Sequence, residues 1–76
     1  MDAGNLVRMA NRIGDFFESQ PDRAAALADI ADHLRKFWEP RMRREFLALL
    51  EGGAAGELKP IVREAVLAHR AELMPD

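Results

Sequence analysis

Apolar residues recur at helical spacing along most of the chain, and four stretches carry the pattern. With Leu6 at 0° and about 100° per residue, Phe16, Met9, Ile13, Leu6, Phe17, Ala10, Gly14 and Val7 share one arc of a helix over about residues 5–18. That arc covers roughly half the circumference, wider than the ~100° stripe of an ordinary surface helix. Arg8, Asn11, Arg12, Asp15 and Glu18 fill the other half. A face so broad serves either one wide core or two separate partners, and in a short chain the second option carries real weight.

Ser19-Gln-Pro-Asp22 punctuates: serine followed three residues later by an acid is a capping-box-like start, with Ser19 as the cap. A second helix over about 22–38 follows from Ala24-Ala25-Ala26, strong helix formers, and from the stripe Leu27, Ile30, Ala31, Leu34, Phe37 and Trp38. Pro40 disfavours helix at Glu39 and removes a donor, so a third helix starts there and runs over about 40–50. Its stripe is Leu49, Met42, Phe46, Leu50 and Leu47, with Arg43 projecting inside the apolar arc. An arginine so placed snorkels to water or finds a carboxylate. Glu51-Gly-Gly-Ala-Ala-Gly56 is a connector whose glycines permit left-handed turns. A fourth helix, about 59–73, carries Ile61, Ala65, His69, Val62, Leu73 and Val66 on its inner face. The expectation is all-α: a small bundle of three or four short helices forming one domain over 1–76.

Composition sharpens this picture. A chain of 76 residues hides only about 60% of its unfolded surface. Cysteine is absent, so neither a disulfide nor a cysteine metal site compensates. Lys+Arg total 11 and Asp+Glu 13, a formal charge of −2 that gives no global pull toward nucleic acid or anionic lipid. The start Met1-Asp-Ala-Gly-Asn5 does not read as an export signal, and no apolar run approaches the roughly 18 residues of a membrane span. The expected location is the cytoplasm, with no membrane partner.

Candidate chemistry is sparse. Asp29, Asp32 and His33 fall within about 100° of one another on the second helix, a spacing that suits a divalent ion. Without a further ligand, they read better as a solvated face with an Asp29–His33 pair at i,i+4. His69 reads as a hydrogen-bonded, half-buried side chain. With no cysteine or tyrosine, and with the one serine used as a cap, no nucleophile-and-base set forms. The glycine loop lacks the Lys-Ser/Thr of a phosphate loop. Arg35, Lys36, Arg41, Arg43 and Arg44 invite a helix-turn-helix nucleic-acid reading. Interspersed acids oppose it, with Arg35–Glu39 and Arg41–Glu45 at i,i+4. Phe37, Trp38 and Pro40 add apolar docking surface beside the arginines, so the elbow Phe37, Trp38, Pro40, Arg41, Arg43 and Arg44 is the expected protein-binding site.

The wording itself is specific. Leu6-Val-Arg-Met-Ala-Asn-Arg-Ile-Gly-Asp-Phe-Phe17, then Ile30-Ala-Asp-His-Leu-Arg-Lys-Phe-Trp-Glu-Pro-Arg-Met-Arg-Arg44, and Leu58-Lys-Pro-Ile-Val-Arg-Glu-Ala65 resemble the delta subunit of NAD-dependent, molybdenum-containing formate dehydrogenase. Phe37-Trp-Glu-Pro-Arg-Met-Arg43 is the most specific part. The resemblance departs at Arg12, where family members often carry glutamine, and assigns that residue no contact. It implies a small bacterial accessory subunit that binds no cofactor itself. Its partners would be the catalytic subunit, with molybdenum cofactor and iron–sulfur clusters, and the diaphorase subunits, with FMN and further clusters. A transient chaperone for cofactor insertion into the apo catalytic subunit is the alternative reading. A nucleic-acid binder ranks below both, and self-association of the isolated chain stays open.

Overall fold

The structure, a computed structural model, describes residues 2–75. Five helices follow in order: α1 (Ala3–Phe17), α2 (Arg23–Phe37), α3 (Pro40–Glu51), α4 (Pro60–Ala68) and α5 (Arg70–Leu73). Among the described residues there is no strand, so the all-α expectation holds. None of the helices is long and apolar enough to cross a membrane.

The periodic stripes become the core. Leu6 and Ala10 of α1, Ile30 and Leu34 of α2, Phe46 and Leu47 of α3, and Ile61, Val62, Ala65 and Val66 of α4 are all buried. The most extensive pairing is α2 with α4. Ala26 and Ala31 of α2 and Ala65 of α4 are buried in this core, and side chains this small suit a close approach of helices. α1 crosses α4 at Gly14. A Cβ there would sit 2.6 Å from Val62 Cγ2 and 3.4 Å from Ile61 Cγ2, so this close approach requires glycine.

Asp22, not Ser19, caps α2. The helix begins at Arg23, and the Asp22 carboxylate accepts the N–H of Ala25 at 3.2 Å, where an N-cap side chain bonds the third helical residue. Ser19 is exposed in the preceding turn. After α3 the chain turns through Gly53 (φ 72°) and Gly56 (φ 57°), both left-handed, and tucks Ala55 and Leu58 into the core. Asn11 of α1 fastens this loop: its Nδ2 donates to the Glu57 carbonyl at 3.1 Å and its Oδ1 accepts the Lys59 N–H at 2.8 Å. The Lys59 ammonium in turn pairs with Asp15 at 2.7 Å and Glu18 at 2.9 Å, so α1 holds the entry to α4.

The expected continuous helix over 59–73 is broken at His69 (φ −118°, ψ 25°). The helical ladder is kept in part across the break. The His69 N–H still bonds the Ala65 carbonyl at 3.0 Å, and the His69 carbonyl accepts from Glu72 at 3.0 Å. Beyond it Leu73 enters the core at 2% exposure, and the His69 Nδ1 lies 3.1 Å from Glu72 Oε2.

Candidate interaction surface

α2 ends at Phe37, and two extended residues, Trp38 (φ −91°, ψ 126°) and Glu39 (φ −66°, ψ 159°), lead to Pro40 in the first turn of α3. The expected docking elbow divides here. Leaving helical geometry swings Trp38 into the core at 5% exposure, where it meets Phe46 edge-on, centroids 5.3 Å apart. Arg43 neither snorkels nor finds a carboxylate. Its Nε donates to the Trp38 carbonyl at 3.1 Å and its Nη1 to the Leu73 carbonyl at 3.2 Å. Trp38 and Arg43 therefore hold the domain together. Phe37, Pro40, Arg41 and Arg44 are exposed, and Arg41 pairs with Glu45 at 3.8 Å.

Phe37 was expected on the core stripe of α2, yet it is 71% exposed. It closes a continuous row of rings across the ends of α1 and α2. Phe16 meets Phe17 edge-on at 4.9 Å, Phe17 meets His33 at 6.3 Å, and His33 meets Phe37 at 4.8 Å. Phe16 is 76% exposed. A shallow groove of about 290 Å³ opens beside the row, lined by Arg12, Ile13, Phe16, Phe17 and His33. Burying one phenylalanine side chain is worth roughly 1.5–3 kcal/mol, so two left in water on one face are an unspent source of binding energy. A second apolar groove, about 310 Å³ between α1 and α3, is floored mainly by Ala3, Leu6, Ala48, Leu49 and Ala54 and projects no large side chain.

The polar residues around this row do not converge as ligands. The expected Asp29–His33 pair does not form: Asp29 accepts from Gln20 Nε2 at 3.0 Å, while the His33 ring is taken up by its aromatic neighbours. Asp32 binds Lys36 at 3.0 Å and Arg35 at 2.9 Å, replacing the expected Arg35–Glu39 pair. The hydrogen bond from Lys36, then that from Arg35, holds the Asp32 carboxyl below its ordinary range. Among the described residues no three His, Asp or Glu side chains are grouped to hold a metal ion.

Over residues 5–66 the sequence matches the family described as NADH-dependent formate dehydrogenase delta subunit FdsD. The chain belongs to that family. No curated protein matches it, and no solved structure does. The FdsD match takes in α1 from Asn5 on, α2, α3 and α4 as far as Val66, and with them every member of the aromatic row. α5, whose Leu73 completes the core, lies beyond it.

Phe16 was expected on the apolar arc and Arg12 was expected to make no contact, yet both are exposed on one groove. The one signal was the excess width of the apolar arc of α1, since Phe16 stands at its edge, next to Arg12. His33 was noticed for metal chemistry, whereas its role in the structure is to bridge two phenylalanines.

Proposed function

We propose that this delta-subunit chain is a non-catalytic accessory subunit that docks through its aromatic row on the molybdenum-containing catalytic subunit of NAD-dependent formate dehydrogenase, assembling or stabilising the complex in the cytoplasm. The observation that carries the reading is the pair Phe16 and Phe37, both about three-quarters exposed and joined through Phe17 and His33, on a chain whose family consists of enzyme subunits. A non-catalytic role suits the side chains present. His33 lies between rings, His69 faces Glu72, and Ser19 stands exposed in a turn, so among the described residues neither histidine meets the serine hydroxyl. In this reading the molybdenum cofactor, iron–sulfur clusters and FMN belong to the catalytic and diaphorase subunits.

The test is co-expression of the tagged chain with the catalytic and diaphorase subunits, followed by purification of the formate-oxidising enzyme. A permanent subunit is present in equal stoichiometry in active, cofactor-loaded enzyme. Its recovery only with the cofactor-free catalytic subunit would replace this reading with that of a transient chaperone.

A further inference from the structure

We infer that the segment seated on the aromatic face is an acidic, apolar stretch of the catalytic subunit, its apolar side chains covering Phe16 and Phe37 and a carboxylate meeting Arg12. This rests on the docking reading above and adds the chemistry of the partner. The decisive residue is Arg12, on the wall of the groove, exposed, and without a hydrogen-bonded or ion-paired partner among the described residues. Acids are plentiful nearby, yet each is committed elsewhere. Asp15 and Glu18 of the same helix both bind Lys59, Asp29 accepts from Gln20, and Asp32 binds Arg35 and Lys36. Arg12 is left as the unmatched cation beside the apolar row.

Covering the groove strips water from that guanidinium. A covered charge without a partner is costly, whereas an arginine–carboxylate pair makes a strong, charge-assisted and often bidentate contact. The face therefore selects an occupant that brings both apolar bulk and an acid. Other occupants fit less well. A second copy docked about a two-fold axis would set one Arg12-walled face against another. A nucleic-acid strand or an anionic bilayer needs several cations, and the chain carries a net charge of −2. The open groove offers a small molecule few convergent polar groups to fix its orientation.

The experiment titrates the purified chain against purified catalytic subunit, comparing wild type, Arg12→Gln, Arg12→Glu and the double variant Phe16→Ser/Phe37→Ser at low and high salt. The expected result is a loss of about tenfold or more for Arg12→Glu and a smaller loss for Arg12→Gln, with weakened salt dependence in the latter. Loss of binding in the double variant with Arg12→Glu unchanged would overturn the acidic-segment inference and leave the docking reading standing. If neither change affects binding, docking through this face is itself wrong. A concentration-dependent dimer of the isolated chain that the double variant abolishes would make a second copy the occupant and would also overturn the inference.

Discussion

Arg43 Nη1 lies 3.2 Å from the carbonyl oxygen of Leu73 while Nε of the same guanidinium donates to the Trp38 carbonyl. One planar fork thus ties the end of α2 to the last residue of α5 from a position on α3. Hydrogen bonds from charged donors contribute roughly 1.5–3 kcal/mol, so Arg43→Met is expected to lower unfolding free energy by about that much. Arg43→Lys is expected to restore little, since an ammonium lacks the fixed fork that spans two carbonyls. Equilibrium urea unfolding checks both; a lysine variant as stable as wild type would contradict the forked tie.

The two adjacent aromatics of the elbow should separate cleanly. Trp38 is packed on Phe46, and emptying a large buried aromatic costs about 3–5 kcal/mol, enough to unfold much of a chain this small. Trp38→Ala should lose cooperative thermal unfolding. Phe37→Ser, on the exposed end of the row, should stay within about 0.5 kcal/mol of wild type. Circular dichroism melts of the two variants decide it.

Two helical glycines of α1 should answer alanine with opposite signs. At Gly14 a methyl meets Val62, fully buried and unable to move, and overpacking of this kind costs about 1–3 kcal/mol, more than the roughly 1 kcal/mol of helix propensity gained. Gly14→Ala is therefore expected to destabilise by up to about 2 kcal/mol. At Gly4 the nearest neighbour is the mobile tip of Arg8 at 3.3 Å, so Gly4→Ala should stabilise by roughly 0.5–1 kcal/mol. Denaturant midpoints measured side by side compare them.

Lys59 carries the pH dependence of the α1–α4 link. Its hydrogen bond to Asp15, then that to Glu18, raises its pKa above the ordinary lysine value. The stabilisation is fully present below the unfolded-chain value of about 10.4 and fades as pH rises through the higher folded value. Asp32 behaves oppositely: its lowered pKa gives stabilisation above about pH 3.9 that is lost as pH falls further. Lys59→Gln should thus melt below wild type at neutral pH, and the gap should close in strongly alkaline buffer. A gap unchanged there would rule out the ion pair as its source.

How far the fold could be read beforehand follows from where helical geometry persists. Within helices the 100° spacing placed Phe46, Leu47, Ile61, Val62 and Leu73 correctly in the core. It put Phe37 and Trp38 on the same core stripe, and only Trp38 is buried, reached through an extended backbone where side-chain direction no longer follows helical phase. Periodicity also says which face is apolar without saying how far a neighbouring helix covers it, so the exposure of Phe16 and Phe37 was not legible. The partners of Arg43 are backbone carbonyls, which leave no mark in a sequence, and the kink at His69 comes with no proline or glycine that would announce it. Phe37, Pro40, Arg41 and Arg44 of the expected elbow do reach the surface, and the rest of the face comes from the end of α1, whose broad apolar arc had left room for a second partner.

Hydroxyl-radical footprinting of the chain, free and assembled with the catalytic subunit, tests the docking surface most directly. Phe16, Phe37 and Leu67 are all well exposed in the free chain, and Leu67 lies outside the aromatic row, so it serves as an internal reference. The account predicts strong protection of Phe16 and Phe37 in the complex with Leu67 labelled as before. Equal labelling of Phe16 and Phe37 in both states would contradict it.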